Sequence, residues 1–127
     1  MEAIMSNKIT VGFLSSKLKD VLGSDFKRKQ NVYLLVTQQE ELSRKYPSSY
    51  KAKVEEISHL LYNPDYVLYA KKEKSLYLIR DYQKEGKFQK VVLSLTNFGE
   101  WDIKELTSLT LPILEKINTL GQLRRLN

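Results

Sequence analysis

The chain has no cysteine and a single histidine. Without thiols there is no disulfide framework, no thiol nucleophile and no thiolate metal site, and one imidazole does not make a zinc site or a histidine pair. Proline and glycine are sparse, 3 and 5 residues in 127, so no long disordered or low-complexity arm is expected. Long apolar runs are missing as well. None approaches the roughly 20 residues that span a bilayer, and the opening MEAIMSNKITV lacks the charged head and apolar core of a signal peptide. The expectation is a soluble, cytoplasmic protein with no membrane partner, no cofactor and no catalytic metal.

What is present fits one domain that folds throughout. Hydrophobic residues make up 42% and charged residues 28%, ordinary globular values, and a chain of this length buries about two thirds of its unfolded surface. Lys and Arg outnumber Asp and Glu by 21 to 15, a net charge of +6. That balance favours encounters with polyanions, and it also suits a basic protein with no such partner.

Periodicity predicts an α-rich first half and a β-rich second half. Lys8 to Leu14 (KITVGFL) reads as a strand, followed by a short helix SKLKDVL capped by Ser15 or Ser16 and closed by Gly23. Beyond the basic connection DFKRKQN, the apolar run Val32 to Val36 reads as a buried strand. Thr37 with Glu40 forms a capping-box pattern (TQQE), predicting a helix from Thr37 to Lys45 that ends before Pro47. A second helix, capped by Ser48 or Ser49, carries Tyr50, Val54, Ile57 and Leu61 on one stripe and ends at Asn63-Pro64. The segments 65–70, 75–82, 88–96 and 101–109 are then rich in β-branched, Leu and aromatic residues, and KKEK, QKEGK and NFGE separate them. Short connections make them a four-stranded antiparallel meander. Pro112 opens a C-terminal helix closed by Gly121, and the chain leaves through QLRRLN. The class is α+β, with N-terminal helices packed on the meander.

Several phrases in this order form a recognisable set: VGFLSSKL, VYLLV before a helix, YNPDYV, SLYLIR, VVLSL, LTSL and the closing LGQLRRL. With them the sequence resembles the phage-associated nuclease domains grouped with barnase, EndoU, colicin and RelE-type RNases, especially the third phage subgroup. The resemblance implies an RNA-cleaving fold whose sheet holds the scissile phosphate. It also implies a pair of histidines on the helix after VYLLV. Glu41 and Tyr46 stand there instead, while Arg80 keeps the basic position closing the second meander strand and Thr107 matches the hydroxyl position of the last strand.

Metal-free RNA cleavage needs a base for the 2′-hydroxyl, an acid for the leaving oxygen, and cations for the charge that develops on phosphorus. The candidate catalytic set is Glu41 as a base raised by burial, Tyr46 positioning or protonating, Arg80 as the cation and Thr107. Arg44, Lys45, Lys71, Lys72 and Lys74 are the candidate nucleic-acid-binding residues. Glu41 and Lys45, four apart, equally make a solvent-side ion pair, and a Tyr before Pro packs as a cap. His59 lies about 200° around the helix from Ile57, on the polar face, and reads as a surface residue. Two functions follow. One is a metal-independent endoribonuclease or RNA-binding nuclease-like protein, a toxin or a phage or mobile-element effector. The alternative is an inactive nuclease-fold binding protein that inhibits a host defence or nucleic-acid-processing partner.

Overall fold

The computed structural model of the chain describes residues 8–26, 30–82, 87–119 and 123–126. Strand β1 (Lys8–Phe13) leads into a 3-10 turn, Ser16–Leu18, and a short helix α1 (Lys19–Leu22). Ser15 caps this segment, its Oγ accepting from Lys17 N at 3.2 Å, and Gly23 ends it at φ +58°, a conformation that side chains disfavour. Strand β2 (Asn31–Leu35) buries Val32 and Leu34 and leaves the residues between them half-buried.

Helix α2 (Val36–Lys45) begins before Thr37, so the TQQE box does not form. Thr37 already lies inside the first turn, and Gln38 does the capping: its Oε1 accepts from Leu35 N at 3.1 Å while its Nε2 donates to Ile103 O, tying the helix to the sheet. Helix α3 (Tyr50–Tyr62) buries Ile57, Leu60 and Leu61, with Tyr50 and Val54 packed beside them. Ser49 precedes it without a side-chain cap bond.

Strands β3 (Tyr66–Ala70), β4 (Ser75–Asp81), β5 (Lys87–Leu95) and β6 (Trp101–Thr110) pair antiparallel in succession. They are the interior of a seven-stranded mixed sheet of order β1-β2-β6-β5-β4-β3-β7, which corrects the four-stranded antiparallel expectation. β1 pairs antiparallel with β2, and β2 runs parallel to β6 through Val32–Trp101 and Tyr33–Asp102. The closing Arg124–Arg125, read from sequence as an exit segment, is strand β7 against β3. The outer meander strands carry backbone donors and acceptors that need partners, and these distant segments supply them. Helix α4 (Leu111–Asn118) starts one residue before Pro112. Its predicted end at 120–121, the turn residues 83–86 and the basic stretch 27–29 lie outside the described residues.

The sheet has a core on each face. On one, Leu76, Leu78, Val91, Leu93, Trp101 and Ile103 meet Leu18, Leu22 and the apolar stripe of α3. On the other, Leu68, Ile79, Phe88 and Leu109 meet Leu114 and Ile117 of α4. Each such side chain contributes about 1.5–3 kcal/mol on burial, so apolar area fixes both layers to the sheet. No helix among the described residues is long and apolar enough to cross a membrane.

Candidate functional site

Successive residues of a strand face opposite ways, so Arg80 follows Leu76 and Leu78 on the face covered by α3. Leu76 and Leu78 fill the core there, and Arg80 comes where the core ends. Across the sheet Arg80 is in register with Gln89, and Gln89 with Ser108, giving a polar row over three strands. From α3, residues three and four apart share a face and meet this row. Ala52, Glu55, Glu56 and His59 line a cleft of about 380 Å³ with Arg80 and Tyr82.

The charges in this cleft are unevenly paired. Arg80 is half-buried and has no hydrogen bond or ion pair among the described residues. A guanidinium drawn partly out of water without a counter-ion is poorly compensated, and its planar fork matches a phosphate. Glu56, by contrast, has a partner: Tyr82 donates its phenol to Oε2, while Lys53 Nζ lies 3.7 Å from the buried Oε1, which accepts no hydrogen bond among the described residues. Burial first, then the bond to Glu56, pushes the Tyr82 phenol well above its usual range, so it remains a protonated donor. Lys53 Nζ also lies 4.5 Å over the ring of Tyr46. A chain Tyr46–Lys53–Glu56–Tyr82 therefore leads to the cleft, which Glu56 and Tyr82 line. Glu55 and His59, one helical turn apart, are exposed on it.

Of the residues singled out from sequence, the structure brings Arg80 to this cleft and connects Tyr46 to it through Lys53. It does not gather the rest. Glu41 is 61% exposed and pairs with Lys45 at 4.0 Å, so the burial that a base role asks of it is missing. Arg44 is exposed on α2 beside Ser43 and Tyr50, in a separate shallow depression. Thr107 shares a strand face with Leu109, on the α4 side of the sheet, and donates to Glu105 at 3.1 Å. Glu105 in turn accepts from Lys90 at 2.8 Å, which holds its carboxyl below the usual range. Lys71, Lys72 and Lys74 lie in the β3–β4 turn, at the opposite end of β4 from Arg80, a separation of about 17 Å at strand rise. Lys74 is tied to Asp25 at 3.2 Å.

Sequence reasoning missed Glu55, Glu56 and Ser108, and it read His59 as a surface residue without partners on its face. His59 is exposed as expected, yet the surface it occupies is the wall opposite Arg80. The spacing of Glu55 and Glu56 to His59 was visible in the sequence. That β4 ends opposite them was not, because it depends on how α3 lies across the sheet. Comparison of the chain with family models, with curated proteins and with solved structures finds no match.

Proposed function

We propose that the cleft between α3 and β4 binds RNA and cleaves it without a metal ion, making this a nuclease-like effector. The observation that carries the reading is the half-buried guanidinium of Arg80, without an ion pair among the described residues, in the cleft that His59 also lines. Arg80 takes the scissile phosphate and stabilises the charge that builds on its equatorial oxygens. Glu55 accepts the 2′-hydroxyl proton as O2′ attacks phosphorus, and His59 donates a proton to O5′ as the P–O5′ bond breaks. The products are a 2′,3′-cyclic phosphate and a 5′-hydroxyl. Glu56, held by Tyr82 and Lys53, keeps the wall in place rather than moving protons.

The test is incubation of labelled RNA with the purified protein in EDTA, using wild type, His59→Ala and Arg80→Ala. Cleavage persists in EDTA and drops by about a hundredfold or more in either variant. Binding weakens in Arg80→Ala and is kept in His59→Ala. Strict dependence on added zinc or magnesium overturns the metal-free chemistry. Absence of binding even at low salt overturns the nucleic-acid reading and leaves a protein partner as the better account of the basic surface.

A further inference from the structure

The strand register carries the polar surface of the cleft one step further along the sheet. On the face covered by α3, Arg80, Gln89 and Ser108 stand side by side on β4, β5 and β6. Two residues on, Lys87 and Thr110 are paired on the same face, and Tyr82, whose N donates to Lys87 O at 3.1 Å and whose phenol reaches Glu56 of α3, continues that second polar row. With Lys53 and Glu56 of α3 these residues wall a cavity of about 460 Å³, which shares Glu56 and Tyr82 with the cleft. Phe88 and Leu109 turn to the opposite face and belong to the core under α4. Gln89 is the buried member of the first row, 3% exposed. Its Oε1 accepts from Ser108 Oγ at 3.0 Å, and its Nε2, with two N–H donors, has no partner among the described residues. Lys87 is exposed and has no ion pair among them.

Glu56 adds a carboxylate to this wall, but its Oε1 is closed to solvent, its Oε2 holds the Tyr82 phenol, and Lys53 Nζ lies 3.7 Å from it. What remains open to a ligand is cationic and rich in donors, and a buried amide with its acceptor occupied and its donors open lacks only an acceptor from outside the chain. We propose that this cavity is a second phosphate subsite, in which Lys87 and Gln89 Nε2 take the phosphate next to the one at Arg80, so that the protein grips two consecutive phosphates of one strand. The inference rests on the RNA reading of the adjoining cleft. Arg80 and Lys87 lie one strand across and two residues along from each other, about 8 Å between Cα atoms at sheet geometry, a separation that two long cationic side chains match to neighbouring phosphates. Lys87 supplies the charge, and Gln89 supplies a fixed donor that bonds an anionic oxygen more strongly than a neutral one. Ser108 is a positioning residue: by donating to Oε1 it holds the amide with its N–H groups toward the cavity.

The experiment is competition against a labelled oligo(U), read by fluorescence anisotropy at one low salt concentration, with three dinucleotides: UpU, which has one phosphate, and pUpU and UpUp, which add a second at the 5′ or the 3′ end. All are 2′-fluoro forms, which lack the attacking hydroxyl and are not cleaved. In wild type one of the two phosphorylated forms competes about tenfold better than UpU, and the other, whose added phosphate points away from Lys87, gains no more than about twofold. Lys87→Ala and Gln89→Met each reduce the larger advantage to about twofold or threefold. Ser108→Ala lowers it as well, and Ser108→Thr, which keeps the hydroxyl, restores it. Because Gln89 is buried, its variant is first checked for a native circular dichroism spectrum. If it is unfolded, Lys87→Ala and the Ser108 pair carry the test. An added phosphate that gives no advantage, or an advantage unchanged in the folded variants, overturns the subsite while leaving RNA binding intact. Equal gains at both ends mark general charge attraction and overturn it too, as does a loss in the folded variants that is the same for all three dinucleotides. If labelled oligo(U) does not bind at low salt, either in the 2′-fluoro form or as RNA, the RNA reading itself goes, and the subsite with it.

Discussion

Asp25 shows how one side chain ties the first segment to the sheet. Tyr69 donates its phenol to Asp25 Oδ2 at 2.6 Å and Lys74 Nζ lies 3.2 Å from the same oxygen. The Tyr69 bond is the main reason the Asp25 carboxyl is held below its usual range, with burial opposing and Lys74 assisting. A carboxyl whose folded value is depressed contributes stability above its unfolded value and loses it as pH falls through the folded one. Asp25→Asn is therefore expected to cost about 1.5–3 kcal/mol at neutral pH, a deficit that shrinks in acid below the ordinary carboxylate range. Thermal melts of both proteins between about pH 6 and pH 2 check this, and a deficit independent of pH would refute it. Gly12 offers a second test. A Cβ built there meets Leu61 Cδ1 at 3.0 Å and the Tyr62 hydroxyl at 3.1 Å, so β1 approaches α3 as closely as a glycine permits. Gly12→Ala should destabilise by about 1–3 kcal/mol in urea unfolding, and pairing it with Tyr62→Phe should recover part of the loss.

At the scale of elements, the edges of the sheet are the informative places. β7 contributes only Arg124 and Arg125, yet it closes the outer side of β3, with Leu126 N donating to Asp65 O at 2.9 Å and Arg125 lying 5.6 Å over the Tyr66 ring. Removal of residues 124–127 should leave the core folded and speed amide exchange in Tyr66–Ala70 by about tenfold. Exchange rates unchanged by the truncation would show that β7 adds nothing to the edge. These same edges are where periodicity gave least guidance. The meander strands and α3 are read correctly to within a residue or two, because alternation and three-to-four spacing are local. A two-residue strand has no periodicity, and the parallel pairing of β2 with β6 joins segments about seventy residues apart. The start of α2 was misread because two capping patterns compete over Leu35–Glu40, and the glutamine bonded to Ile103 across the sheet prevails.

The whole molecule carries a net charge of +6, and the described cations singled out from sequence lie on different elements. Arg44 and Lys45 ride on α2, Lys71 and Lys72 on the far turn of the β3–β4 hairpin, and Arg80 in the cleft. If the cleft binds RNA as proposed, log affinity falls with log salt at a slope of about −0.7 for each phosphate contacted. Arg80→Ala should flatten that slope by about 0.7, while Lys71→Ala and Lys72→Ala leave it unchanged. Anisotropy titrations at several salt concentrations read all three. A slope that follows the hairpin lysines instead would move the interface to that end of the sheet.

By itself the sequence determined the α+β class, the positions of the long helices and meander strands, and the exclusion of thiol chemistry, since these depend on composition and on contacts between near neighbours along the chain. It also determined that Arg80 ends an apolar strand face, because alternation along β4 is a local property. Only the tertiary structure decided that this face looks onto Glu55, Glu56 and His59, that Thr107 turns to the opposite side while Ser108 joins Gln89, and that β1, β2 and β7 extend the meander. Those facts follow from which strand pairs with which and from how α3 crosses the sheet. Both are set by summed burial and backbone pairing between distant segments, which no window of neighbouring residues contains.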